Sequence, residues 1–333
     1  MGDTMSDQLR FGILGAARIA PKALIEPARP IDSVVVTRVA ARDKSRAEVF
    51  AAEHDIGEVS ADYAALITAD DVDVVYNPLP MSLHAEWTIA ALRAGKHVLC
   101  EKALAANAAE AEEMVRVAAE TGQILGEAVH YRYHPLFDRV LSLIAAGVIG
   151  DLERVVAIFS IEIGQPDIRW DYDTAGGSLM DLGCYSVQWA RTVAGEEPTV
   201  TSAGAEVGPP DVDAAIWAEL AFPSGATGRI ESSMVQPDEE ISLTITGTEG
   251  EIIVDNPLAP QNGNLVTVRT EAGETSGPID AGVTYDHMLR AFVDHVIHGS
   301  PFVTMGEDSI NNMVAMDAIY TAAGLPFRGR DRS

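Results

Sequence analysis

The chain has 333 residues, 47% of them hydrophobic, and carries 50 acidic against 23 basic side chains, a formal net charge of −27. That charge excludes unaided binding to nucleic acid or to an anionic membrane, because neutralising phosphates needs clustered lysine and arginine, and no apolar run approaches the about 20 residues of a membrane-spanning helix. Only two cysteines occur, Cys100 and Cys184; lying far apart in apolar segments, they suit reduced, buried thiols, so the expectation is a cytoplasmic globular protein of two domains that acts on a small molecule.

From Gln8 to Ala128 short apolar runs alternate with helical patterns, the signature of parallel βαβ units. Strands are predicted over Phe11 to Leu14, Val34 to Ala40, Val72 to Asn77, His97 to Cys100 and Ile124 to Ala128. Helical spacing falls on Ser45 to His54, Met81 to Ala94 and Asn107 to Thr121, with Ser45 and Asn107 as N-caps. Residues 1–128 therefore read as a doubly wound Rossmann domain of α/β class. A hinge over Val129 to Pro135 leads into a helix from Leu136 to Ala146. Beyond Gly150 the apolar runs lengthen and alternate, over Leu152 to Ile163, Ala214 to Phe222, Ala226 to Met234, Ile241 to Gly247 and Glu251 to Val254. Joined by tight turns, they predict a C-terminal α+β domain, 129–333, on an open, mostly antiparallel sheet. Helices at Ser178 to Val193, Tyr285 to His298 and Glu307 to Ala323 cover one face. The other face invites a second copy, giving a homodimer or a dimer-based tetramer.

The first strand runs into Gly15-Ala16-Ala17-Arg18-Ile19-Ala20, where a dinucleotide fold places its phosphate turn. Gly15 meets the glycine pattern, and Ala17 and Ala20 stand at the other two glycine positions. After the second strand, an acid suits the ribose hydroxyls of NAD and an arginine suits a 2′-phosphate. The chain offers Arg42 followed by Asp43, so NADP through Arg42 is the expected cofactor, with NAD possible through Asp43; a solvated pair opening the next helix is the bland alternative.

Lys102 is one of only four lysines and follows Glu101 at the carboxyl end of a predicted buried strand, the edge where open α/β sheets bind ligands. Taken with FGILGAARIAP from Phe11, AARDKSRA, the Asn77-Pro78-Leu79-Pro80 run with His84, GKHVLCEKALA, and AGGSLMDLGCYSVQ, this order of segments resembles the glucose-fructose oxidoreductase/inositol dehydrogenase family, called Gfo/Idh/MocA, over essentially the whole chain. Within the family it resembles the branch with dimeric dihydrodiol dehydrogenase, D-xylose dehydrogenase and glucose-fructose oxidoreductase. The resemblance implies that Lys102 matches the lysine of the EKP motif, beside the nicotinamide, with Ala103 in place of its proline. It implies that Tyr185 is the acid/base and that Asp181 helps to orient substrate, against a reading of Asp181 as a helix N-terminal carboxylate. Gly15, Ala17, Arg18, Ile19, Arg42, Asn77, Leu79, His84, Glu101 and Lys102 form the implied cofactor set, with His84 as cap or orienter of the Asn77 turn. Trp170 and Tyr285 resemble aromatic positions that border nicotinamide or substrate, or else pack between the domains.

A free phenol has a pKa of about 10 and is a weak base at neutral pH. An ammonium about 4 Å away, at an effective dielectric near 20, favours phenolate by roughly 4 kcal/mol before desolvation opposes it. The expected activity is hydride transfer between nicotinamide C4 and a secondary alcohol or carbonyl of a sugar, cyclitol or related polyol. A non-sugar dihydrodiol, carbonyl or imine substrate is the rival within enzymes; a non-catalytic nucleotide-binding sensor on the same fold is the rival outside them. His130 and His134 stand four apart, but Pro135 opposes a chelating helix there, and no metal is expected.

Overall fold

The computed structural model describes residues 8–209 and 211–329, which divide into two compact units. The first comprises residues up to Ala105, Ala109–His130 and Tyr285–Ser309; the second comprises Ala106–Ala108, Tyr131–Thr284 and the chain from Ile310.

The first unit is built on six strands, β1 (Leu9–Leu14), β2 (Val34–Ala40), β3 (Glu58–Val59), β4 (Val74–Asn77), β5 (His97–Cys100) and β6 (Leu125–Glu127). Their order is β3-β2-β1-β4-β5-β6 and every pairing is parallel. The order reverses between β1 and β4, which puts the switch-point crevice at the carboxyl ends of those two strands. A π-helical turn, Pro21–Ile25, continues as α1 (Glu26–Ala28), and α2 (Lys44–His54), α3 (Tyr63–Ile67), α4 (His84–Arg93) and α5 (Ala108–Thr121) complete the crossovers.

The second unit carries α6 (Pro135–Ala145) and eight strands, β7 (Leu152–Ser160), β8 (Thr199–Gly208), β9 (Val212–Ala221), β10 (Thr227–Ser233), β11 (Glu240–Gly247), β12 (Gly250–Asp255), β13 (Leu265–Thr270) and β14 (Gly273–Gly277), with α7 (Cys184–Ala194) packed on β7 and β10. Their order is β14-β13-β12-β11-β7-β10-β9-β8. All neighbours are antiparallel except β7 and β10, which run parallel through the middle of the sheet.

Besides short exchanges at Ala106–Ala108 and at residues 129–130, one long segment departs from the expected partition. Of the last two helices, α8 (Thr284–His298) and α9 (Glu307–Ala322), α8 lies with the first unit from Tyr285 onward, although residues 129–333 were expected to form one domain. Apolar packing explains it. Phe292 is fully buried with its ring centroid 6.4 Å from that of Phe11 on β1, and a Cβ at Gly126 on β6 would stand within 2.9 Å of Phe292 and Phe302. Burying such a ring contributes roughly 1.5–3 kcal/mol, so a bare glycine on β6 lets the returning helix seat closely. Among the described residues, no helix is long and apolar enough to cross a membrane.

Candidate active site

The nucleotide end begins at Gly15. Its φ is +89°, its N–H donates to Ala40 O at 2.6 Å, and a Cβ there would lie 3.2 Å from Leu79 Cδ2. A side chain would therefore meet both backbone strain and a buried leucine, so bare backbone is what the turn presents. Beyond it Ala17 O accepts the Ala20 N–H at 3.1 Å, with Ile19 half-buried between them and Arg18 exposed on the outer side.

At the end of β2, Arg42 is exposed, and Asp43 rather than the expected Ser45 is the N-cap of α2. Asp43 Oδ1 accepts the N–H groups of Ser45 at 2.9 Å and Arg46 at 3.4 Å, satisfying two of the donors a helix start leaves open. The carboxylate that competed with Arg42 for the ribose thus serves the helix. Arg46, which the sequence reading missed, reaches back with Nη2 to Ala16 O at 3.4 Å and lines a cavity of about 330 Å³ with Ala16, Ser45 and Phe50. The available signal was its spacing, four residues after Arg42. Beneath the turn lies Tyr63, whose buried phenol is pushed above its usual pKa by desolvation, opposed by the charge and backbone of Arg42.

At the ends of β4 and β5, Glu101 donates its N–H to Asn77 O at 3.0 Å and accepts the Tyr76 hydroxyl on Oε1 at 2.6 Å. Both side chains are buried; burial, then the Glu101 charge, holds the Tyr76 phenol well above its usual pKa. Tyr76 is thus a second missed residue, fixing the acid that precedes Lys102. Lys102 is half-buried, and the Lys102–Ala103 peptide is cis. Asn77 and His84 have internal duties: the Asn77 amide donates to His84 O (3.3 Å) and Thr88 Oγ1 (3.1 Å) while its Oδ1 accepts the Leu79 N–H (3.3 Å), and both His84 ring nitrogens face backbone carbonyls. Tyr285 stacks on His130 with centroids 4.0 Å apart, and Lys22 Nζ stands 5.6 Å from the Tyr285 ring centre. Burial first, then the charges of Lys102 and Lys22, lowers the His130 pKa to about 3, so its ring is neutral. His134 caps α6, its Nδ1 accepting the Leu136 N–H at 3.1 Å.

In the second unit, Gly177 has φ +133°, and a Cβ there would overlap Asp213 Oδ1. That carboxylate is a hub, bound to Arg328 Nη2 (2.5 Å), the Tyr320 hydroxyl (3.0 Å) and the Leu179 N–H (2.7 Å). Arg328 also donates from Nε to Gly176 O at 2.7 Å, with its guanidinium 4.7 and 4.5 Å from the ring centres of Tyr172 and Tyr320. Arg328 is 2% exposed and Asp213 fully buried. From this anchor a π-helical turn, Leu179–Gly183, carries Asp181 and runs into α7, which carries Tyr185. The buried Tyr185 ring sits among Tyr131, Phe159 and Trp189, with centroids 6.0, 5.8 and 6.3 Å away. Asp181 accepts Arg169 Nε at 2.6 Å, and Arg169 Nη1 reaches Asp167 at 3.1 Å, so the carboxylate is an ion-pair partner. Trp170 packs within this unit, donating its indole N–H to Ile163 O at 2.9 Å with its ring against Gly208.

A parallel sheet in this order, with a bare glycine turn at its switch point, defines a dinucleotide-binding fold. Residues 9–129 match the model of an oxidoreductase family with an NAD-binding Rossmann fold, and residues 137–253 match the GFO/IDH/MocA C-terminal domain. The chain is 36% identical to a D-xylose 1-dehydrogenase (NADP(+)) of Haloferax volcanii, across 95% of this chain and 97% of that one. It is 34% identical to a trans-1,2-dihydrobenzene-1,2-diol dehydrogenase of Sus scrofa, across 96% and 98%. The crystal structure of a 3-ketoreductase from Actinomadura kijaniata, in complex with NADP and TDP-benzene, superposes with a TM-score of 0.88 at 30% identity, covering 97% of this chain and 98% of that one. The chain belongs to the Gfo/Idh/MocA family of NAD(P)-dependent oxidoreductases.

Proposed function

We propose that this oxidoreductase uses NADP to move a hydride between nicotinamide C4 and a secondary alcohol or carbonyl carbon of a sugar, cyclitol or related polyol. The observation that carries the cofactor preference is the pair Arg42 and Arg46 beside the Gly15 turn, with Asp43 engaged as a helix cap. Two guanidiniums suit a 2′-phosphate, and bare backbone at Gly15 suits the close approach of a pyrophosphate. The nicotinamide, when bound, supplies or accepts the hydride. Tyr185 exchanges the hydroxyl proton with the substrate, Lys102 stabilises the phenolate and polarises the carbonyl, and Asp181, held by Arg169, orients the substrate.

The name of the Haloferax relative supports a sugar substrate, that of the Actinomadura relative supports reduction of a ketone, and that of the porcine relative favours a second reading, a trans-dihydrodiol. A panel of aldoses, cyclitols, keto-sugar nucleotides and a trans-dihydrodiol, run with NADP and NAD and followed by the ultraviolet absorbance of the reduced nucleotide, separates them. Turnover of the dihydrodiol alone selects the second reading, and no turnover with any compound overturns both. The open face of the second unit's sheet, where half-exposed Trp217 lies under Arg229 in a chain of ion pairs through Glu219 to Arg154, is the surface we assign to a second copy. Light scattering that finds only a monomer at micromolar concentration counts against that assembly.

A further inference from the structure

Three backbone carbonyls converge on one buried imidazole. His84, the first residue of α4, is 1% exposed, with Leu79 O at 2.8 Å from Nε2 and Ala103 O and Leu104 O at 3.0 and 3.3 Å from Nδ1. A carbonyl only accepts, and a neutral imidazole donates from one nitrogen, so the ring can satisfy one side when neutral and both when protonated. Burial lowers its pKa, the three carbonyls oppose that, and the Lys102 charge adds the smallest lowering. In either state the ring spans two loops. Leu79 belongs to the loop after β4; Ala103 and Leu104 directly follow Lys102 in the loop after β5. From the other side, the Leu104 N–H donates to Glu127 Oε1 at 2.9 Å. The segment behind Lys102 is therefore gripped between a ring on α4 and a carboxylate on β6.

We propose that His84 is a positioning residue for Lys102: its ring sets the path of the Lys102 loop, and through it where the ammonium stands. Its ring nitrogens face backbone carbonyls of the two loops, so it acts on Lys102 through the backbone. The inference rests on Lys102 acting in the reaction. It is tested on the full chain with His84→Leu, which keeps volume but removes both ring nitrogens, and with His84→Gln, which keeps an amide donor. Each is made alone and in a Lys102→Met background, and kcat, the KM for substrate and the NADP Kd are measured with the melting temperature.

With Lys102 present, His84→Leu should lower kcat about tenfold to a hundredfold, the loss expected for displacing a reacting group by roughly an ångström, with the NADP Kd changed less than about threefold. His84→Gln should recover part of that loss. In the Lys102→Met background His84→Leu should cost less than about twofold more, because groups acting as a unit are not additive. An equal loss in both backgrounds overturns the positioning role alone and makes His84 a general support of the fold; an unchanged kcat in His84→Leu overturns it too. Near-normal turnover in Lys102→Met overturns both this inference and the reading of Lys102. If His84→Leu does not fold, His84→Gln in the two backgrounds is judged by the same criterion.

Discussion

Gly15 and Gly177 both hold positive φ, +89° and +133°, yet what surrounds them is opposite in kind. Around Gly15 the nearest side chain is an apolar leucine, and the arginines beyond the turn, Arg18, Arg42 and Arg46, are exposed. Around Gly177 the neighbours are a fully buried carboxylate and a 2% exposed guanidinium, with two phenol rings flanking that cation. The first turn leaves its positive charge to solvent, where an anionic ligand can complete it. The second is completed from behind by the protein's own charges, so that the segment bearing Asp181 and Tyr185 is fixed before any ligand arrives. Substitutions in the two places should therefore fail in different ways, one in affinity and the other in folding or chemistry.

The largest effect is expected where the fixed segment meets the reaction. Tyr185→Phe keeps the ring among Tyr131, Phe159 and Trp189 but removes the hydroxyl proposed to carry the proton, and should cut turnover by roughly 10² to 10⁴ with NADP binding intact. Lys102→Met should fall in the same range, and the double variant should be little worse than the poorer single one. If Tyr185→Phe keeps near-normal turnover across pH while Asp181→Asn abolishes it, the carboxylate is the acid/base instead.

Next is the anchor. Arg328→Met leaves Asp213 charged, buried and short of its strongest partner, and should lower stability by about 3–5 kcal/mol. Urea unfolding reads this directly, and a loss under about 1 kcal/mol would show that the pair does not hold the Gly176–Leu179 segment. Gly15→Ala is the contrasting probe. It should weaken NADP binding more than it shifts the unfolding midpoint, since what it fills is the approach to the turn.

How much of this was legible in the chain follows from where the physical signal lies. Val34–Ala40 and His97–Cys100 are mostly β-branched or apolar runs, and the structure places β2 and β5 on those residues. β3 has two residues and α3 five, too short for any periodicity. β8 was missed because no residue of Thr199–Gly208 is buried, so its strand character comes from pairing with β9 and not from an apolar alternation. The Lys102 and Tyr185 segments were legible as motifs, whereas their supports were not. Tyr76 reads as one more apolar residue of a buried strand, and Arg328 meets Asp213 across 115 positions of sequence. Arg46 falls inside the predicted helix from Ser45 to His54, and only the fold shows it turning toward Ala16.

The open turn yields the next prediction. Arg42→Ala and Arg46→Ala should each weaken NADP by about 1.5–3 kcal/mol, the value of a charged hydrogen bond, and leave NAD within about threefold. Equal losses for both cofactors would mean that the arginines meet something common to the two, and the 2′-phosphate assignment would fall.

The smallest expected effect is also the sharpest about which charge does what. Asp43 accepts two N–H groups at the start of α2, so Asp43→Ala should cost about 1 kcal/mol of stability, the ordinary value of a lost N-cap. Asp43→Asn, which keeps an accepting oxygen, should recover most of it. If the carboxylate instead held a ribose, both substitutions would weaken NAD strongly and leave NADP nearly untouched. With Asp43 serving the helix, NAD binding should respond to neither beyond the small loss that a frayed first turn imposes on both cofactors alike. Isothermal titration with the two nucleotides, set beside urea unfolding of the same variants, separates a structural carboxylate from a ligand-binding one.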